Sequence, residues 1–264
     1  MSIRIVTVDA FTDRPFAGNP AAVCVLPEAR PDQWMRDVAR EMNLSETAFL
    51  VRRNDAFHLR WFTPAVEVDL CGHATVASAH VLWQDGHLAL GEQARFDTRS
   101  GRLLADRRGD WIELDFPEKI AAPAEAAPGM MASLGLGHAA WVGKNAFDYL
   151  VEVDSEETLR SLKPNHSELR KVPVRGVIVT ARASTAGFDF MSRFFAPGSG
   201  IDEDPVTGSA HCALGPYWAG KLGKSELLAY QASARGGIVR VRIAGDRVIL
   251  GGQAVTILRA ELTS

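Results

Sequence analysis

The sequence predicts an α+β protein of two halves, each a mostly antiparallel sheet wrapped round one buried helix. Three observations carry the prediction. First, residues 62–83, FTPAVEVDLCGHATVASAHVLW, share a plan with residues 195–218, FAPGSGIDEDPVTGSAHCALGPYW. Both run from Phe-x-Pro through an acidic extended segment to a glycine, a polar residue, an alanine and small apolar residues ending at a tryptophan. Second, the two glycines, Gly72 and Gly208, lie 208 − 72 = 136 positions apart in a chain of 264 residues, as internal duplication requires. Third, β-type alternation dominates the rest of the chain. Parallel βαβ topology is not expected, because long helices do not alternate with the strands and no G-x-G-x-x-G follows the first one.

Within the repeat, residues 66–70 alternate apolar and acidic side chains, which suits a half-buried strand. Residues 74–83 are apolar on nearly all sides and suit a helix inside a core. The first amides of such a helix have no intrahelical partner and sit at the positive end of its dipole, and a glycine there lets an anion approach. Two anion cradles are therefore expected, at Gly72-His73 and at Gly208-Ser209, with a cleft between the halves for a small carboxylate.

Residues 3–11 alternate as an opening strand, and the turn-rich 12–20 lead to a second strand at 21–26. Pro31 and Asp32 start a helix that carries Trp34, Met35, Val38 and Met42 on one side and ends near Asn43. Ser45 and Glu46 then stand between that helix and a β-rich run, followed by a strand at 56–62. Segments 94–97, 102–107 and 111–116 read as a meander punctuated by Gly101 and Gly109. Residues 117–130, rich in Pro and Ala without apolar periodicity, read as a linker. The expected division is an N-terminal half over 1–117, a linker over 118–130 and a C-terminal half over 131–264, whose last strand can cross back to the first half. In the second half strands are expected at 139–142, 147–153, 176–181 and 188–195, with a short helix at 156–162 and a β-rich tail over 238–262.

Composition bounds the function. A net charge of −3 without a Lys/Arg cluster gives no sign of nucleic-acid or membrane affinity. No apolar run reaches the ~20 residues of a membrane-spanning helix, and the amino terminus reads as a strand rather than a signal peptide, so a cytoplasmic protein is expected. Cys24, Cys71 and Cys212 are odd in number and lack C-x-x-C spacing, which suggests neither a disulfide framework nor a zinc knot.

Glu46 is the strongest candidate for chemistry. Set between Leu44 and the apolar Ala48-Phe49-Leu50, it is either a carboxyl dehydrated at a domain interface or an exposed glutamate capping the preceding helix. Asp204 precedes Pro205, which biases it toward an extended conformation aimed into the cleft; alternatively, Asp202, Glu203 and Asp204 are dipole-favoured acids at a helix start. His73 and Ser209 hold equivalent places after the two glycines, as ligand contacts or as caps. His73 and His80 are seven residues apart and no carboxylate on their helix completes a set, so no metal is expected. His80 and His211 read as core or interface histidines. Cys71 has no partner thiol, because Thr207 stands at the equivalent position.

The segments FAGNPAAV (16–23), NLSETAF (43–49), DLCGHAT (69–75) and EDPVTGSAH (203–211) together resemble the PhzF-type phenazine-biosynthesis isomerase family, in order and across essentially the whole chain. The resemblance implies a diaminopimelate epimerase-like fold of two pseudo-symmetric domains with barrel-like sheets, and a homodimer. It implies a cofactor-independent isomerase that moves a proton between carbons of a small unsaturated or carbonyl-bearing carboxylate, with no cofactor and no metal. Glu46 is then the general acid/base, and His73 and Asp204 assist. Gly72, Gly208, Ser209 and Asn19 bind the small anionic metabolite. Two alternatives stay open: an epimerase or racemase of related fold, with Asp204 or His73 as second base, and a non-catalytic metabolite-binding or interaction protein.

Overall fold

The computed structural model describes residues 3–263. The alternating amino terminus forms strand β1 (Ile3–Ala10), followed by β2 (Asn19–Leu26), helix α1 (Asp32–Met42), β3 (Glu46–Arg53), β4 (Ala56–Phe62) and β5 (Glu67–Val68). The buried helix α2 (Gly72–Gln84) precedes β6 (Ala94–Thr98), β7 (Gly101–Arg108) and β8 (Trp111–Pro117). Next come β9 (Ala122–Pro123), α3 (Met130–Leu134), β10 (Trp141–Lys144), β11 (Asp148–Glu152), α4 (Glu156–Ser161) and α5 (His166–Leu169). Then follow β12 (Gly176–Arg182), β13 (Phe190–Ala196), β14 (Ile201–Asp204), α6 (Gly208–Leu222), β15 (Glu226–Gln231), β16 (Gly237–Ala244), β17 (Arg247–Gly252) and β18 (Ala254–Leu262).

The chain forms two compact units, Met1–Asp115 with Gly251–Ser264, and Phe116–Leu250. In the first, the pairs β18–β1, β1–β2, β3–β4, β4–β5, β6–β7 and β7–β8 are antiparallel, while β2–β3 and β4–β6 are parallel. The second repeats the scheme: β9–β10, β10–β11, β12–β13, β13–β14 and β15–β16 are antiparallel, while β11–β12 and β13–β15 are parallel. Each unit therefore holds two β-helix-β crossovers, which the sequence pattern disfavours. Hairpins outnumber these crossovers in the strand pattern, yet a connection of a dozen or more residues suffices to return a strand parallel to its predecessor.

The core of each unit lies around its central helix. In α2 ten residues are buried, Val76, Leu82 and Trp83 among them, and the helix packs on β1, β2, β3 and β18. In α6 a side chain at Gly215 would come within 2.7 Å of Val241 on β16, so glycine permits the close approach of helix to sheet. The opposite sheet faces are also covered. Met35, Val38 and Ala39 of α1 pack on Ile5, Cys24 and Phe49 in the first unit, and Met130, Leu159 and Leu169 pack on Val151, Val179 and Phe195 in the second.

Two sequence expectations change. Segment 118–130 lies inside the second unit, where Pro123 and Ala122 pair with Gly143 and Lys144 and Ala124, Ala126 and Ala127 pack on the core. Pro and Ala there build a short edge strand, which needs no apolar periodicity. The strand expected at 66–70 is only the two-residue β5, and two positions run against the alternation: Val66 is exposed, whereas the Glu67 side chain is 8% exposed between Arg60 and Arg99. A forked contact from Arg60, at 2.7 and 2.6 Å, offsets the loss of hydration. The sequence reading also passed over α3, α5 and β15, all of six residues or fewer. Among the described residues no helix is long and apolar enough to cross a membrane.

Two measurements check this packing. Trp218 is 1% exposed, stacks on Phe190 at 5.7 Å between ring centroids, and donates from Nε1 to Thr180 Oγ1 at 2.9 Å. Trp218→Ala is expected to lower the unfolding free energy by about 3–5 kcal/mol in urea titration. Glu156, at the start of α4, is held by the hydroxyl and amide of Thr185, by Arg160 and by Ser184. Burial pushes its pKa up, but these donors outweigh burial and bring it from 4.5 to about 2. A carboxyl whose pKa is lower in the fold contributes stability above about 4.5 that is lost as pH falls toward 2. Glu156→Gln is therefore expected to be less stable at neutral pH and to lose less stability than the native protein between those two pH values.

Candidate active site

The first unit gathers four polar side chains at the start of α2. Gly18 brings in the first of them. Its φ is +64°, and a Cβ there would lie 2.1 Å from the Ala10 carbonyl oxygen, so only glycine makes the turn that delivers Asn19 to the head of β2. Glu46 is the first residue of β3, which pairs in parallel with β2 in the register Ala21↔Glu46. Asn43, in the left-handed conformation with φ 49°, ends α1 and turns the chain into that strand. Cys71 is the extended N-cap of α2, with φ −144° and ψ 108°, and His73 is its second helical residue.

These elements bring Glu46 Oε2 to 3.1 Å from His73 Nε2. The other ring nitrogen, Nδ1, lies 3.2 Å from Asn19 Nδ2 and 3.5 Å from Cys71 Sγ. Ser45 Oγ in turn donates to Asn19 Oδ1 at 3.4 Å. Glu46 is 8% exposed, and its Oε2, although in ion-pair contact with His73, has no hydrogen-bond partner of good geometry. The sequence alternatives for Glu46 were burial and an exposed cap; the residue is buried.

Electrostatics favour a charged imidazole. Burial alone pushes the His73 pKa down, but Cys71 and Glu46 act the other way and hold it well above the ordinary histidine value. Cys71 is itself pushed up to about 11, by burial first and by Glu46 second, so at neutral pH it is a thiol. Cys71 has no partner thiol, but its sulfur lies 3.5 Å from Nδ1 of the His73 ring. Glu46, Cys71 and His73 also offer three ligand atoms within 4.8 Å of one another. The carboxylate of this trio comes from β3 rather than from α2.

The second unit builds its counterpart from different residues. Thr207 is the extended N-cap of α6, with φ −113° and ψ 99°, and Gly208 and Ser209 open the helix as Gly72 and His73 open α2. Asp204 ends β14, and its Oδ2 accepts from Thr207 Oγ1 at 2.6 Å. Gln231, wholly buried, accepts from the Thr207 amide at 2.9 Å and donates to the Asp204 carbonyl at 2.8 Å. No sequence signal pointed to Gln231, which is one glutamine at the end of an unread strand. His211 donates from Nδ1–H to the Thr207 carbonyl oxygen at 2.8 Å, and burial lowers its pKa to about 4, which leaves it a neutral core histidine. His80 is half-buried, with Nε2 3.0 Å from Thr256 Oγ1.

A duplicated α+β fold with a polar helix start in each copy is the diaminopimelate epimerase-like fold. Comparison with known proteins narrows it. A profile of the PhzC-PhzF family, phenazine biosynthesis-like protein, matches residues 8–260. An uncharacterised isomerase of Halalkalibacterium halodurans is 56% identical over 263 residues, 99% of each chain, and one of Pseudomonas aeruginosa is 48% identical over 265 residues, again 99% of each. The crystal structure of a PhzF-family phenazine biosynthesis protein from Enterococcus faecalis superposes with a TM-score of 0.96 at 40% identity, covering 100% of both chains. The chain belongs to the phenazine biosynthesis-like family and is an enzyme of its isomerase class.

Proposed function

We propose that the protein is a cofactor-independent isomerase that shifts a proton between two carbons of a small unsaturated or carbonyl-bearing carboxylate, with Glu46 as the general acid/base. The observation that carries this reading is the buried Glu46 carboxylate, 3.1 Å from His73 at the start of α2. Glu46 takes a proton from a carbon made acidic by the adjacent unsaturated or carbonyl system. The electron pair spreads into that system, and the same carboxyl returns the proton at another carbon. No redox change occurs and no atom is lost. Proton transfer by a positioned group is worth roughly two to four orders of magnitude, so the delocalised anion needs electrostatic stabilisation besides. His73, as an imidazolium, and the unpartnered first amides of α2 at Gly72 and His73 supply positive potential beside Glu46.

Asn19 is assigned to substrate binding, and it also orients His73 through Nδ1. In the second unit Asp204 is assigned an assisting role, and Gly208 and Ser209 are assigned to binding, a reading supported by their place at the N-terminus of α6. Thr207 at that N-cap supports a route without paired thiols. The family resemblance supports a homodimer.

The test is solvent exchange. In deuterated water, proton NMR of a panel of small unsaturated and keto carboxylates is expected to show hydrogen replacement with the native enzyme. Glu46→Gln should keep its fold and ligand binding and lose at least about a hundredfold in exchange rate. Exchange by Glu46→Gln at the native rate contradicts the assignment of Glu46 as base.

A further inference from the structure

The cluster at the start of α2 carries a second kind of chemistry. We propose that Glu46, Cys71 and His73 form a binding site for a thiophilic divalent cation of the zinc class; the consequence that the bound ion blocks proton transfer by occupying the Glu46 carboxylate rests on Glu46 being the base proposed above.

One carboxylate oxygen, one imidazole nitrogen and one sulfur make the mixed donor set that zinc-class ions favour, with the fourth tetrahedral position left for water. The separations suit it. Glu46 Oε2 is 3.1 Å and Cys71 Sγ 3.9 Å from His73 Nε2, and all three atoms lie within 4.8 Å of one another. Ligands about 2.0–2.3 Å from a tetrahedral ion stand roughly 3.3–3.8 Å apart, so the widest gap must close by roughly 1 Å, and because Cys71 Sγ lies nearer Nδ1, at 3.5 Å, than Nε2, at 3.9 Å, the sulfur must also swing toward the Nε2 side of the ring.

An independent feature points the same way. Glu46 Oε2 is buried without a hydrogen-bond partner, and an orphaned buried oxygen in contact with a histidine is a poor arrangement for a purely structural carboxylate. His73 Nδ1 meets the Asn19 side-chain amide at 3.2 Å, the kind of outer contact that fixes the ring of a ligating histidine. Turning the Asn19 amide by 180°, with Ser45 Oγ then accepting from Asn19 Nδ2 instead of donating to Oδ1, lets the amide oxygen accept from Nδ1–H while Nε2 holds the ion. Binding releases the Cys71 thiol proton and the Nε2 proton to solvent. Carboxylate and thiolate together then neutralise the ion, so the positive end of the helix opposes no net charge.

The experiment uses chelator-treated, metal-free protein titrated with Co²⁺ and, in competition with a chromophoric chelator, with Zn²⁺. One equivalent of Co²⁺ per chain is expected to give a sulfur-to-metal charge-transfer band that Zn²⁺ displaces. Cys71→Ser should abolish the band and weaken Zn²⁺ binding by at least about a hundredfold, and Glu46→Gln should weaken it by at least about tenfold. Circular dichroism establishes that each variant is folded. No charge-transfer band in the native protein overturns the proposal, as does equal Zn²⁺ affinity of native and Cys71→Ser protein. Should Cys71→Ser not fold, unchanged Zn²⁺ affinity in Glu46→Gln overturns it alone.

Discussion

An apolar helix buried on all sides leaves its polar first turn as the one end that cannot be covered by hydrocarbon, and the rest of each unit follows from that constraint. The amides opening α2 have no intrahelical acceptor, and a sheet packed around the helix body leaves them at a strand edge. The chain meets them with groups of matching sign or shape. Thr75 Oγ1 donates to the Cys71 carbonyl oxygen at 2.6 Å to fix the first turn, and Glu46, Asn19 and His73 assemble beside it. The site is therefore a product of how the core is built rather than an addition to its surface.

Duplication shows what is structural and what is specific. Both N-caps are extended, both are followed by glycine, and in both helices the residue four places after the N-cap contacts its carbonyl oxygen, Thr75 in one and His211 in the other. The surroundings diverge. In the first unit a carboxylate faces an imidazole with one oxygen unpartnered; in the second, Asp204, Thr207 and Gln231 tie one another down in a closed set of hydrogen bonds. Satisfied buried networks rigidify, whereas a partly satisfied carboxylate remains available for proton traffic, and this contrast supports giving the base to the first unit.

Much of this was legible in the residues. The repeat of Phe-x-Pro to Trp located both central helices, and the apolar spacing of Trp34, Met35, Val38 and Met42 located α1. Glu46 stood out as an acid in an apolar run, but its contact with His73 joins residues 27 positions apart and needs the crossover that sets β3 beside β2. Glu67 misled the strand reading because alternation reveals periodicity and not which face is inside; two arginines distant in sequence hold its side chain between them. Gln231 and the short helices α3 and α5 left no periodic signal, since a single turn is too short to repeat.

The central claim is that the start of α2 receives an anionic carboxylate against the Glu46 base. A crystal of the protein soaked with a small unsaturated carboxylate tests it most directly. The account predicts electron density for the carboxylate against the amides of Gly72 and His73, with the ligand's carbon skeleton within reach of Glu46. A ligand bound elsewhere, with that helix start filled only by water, contradicts it.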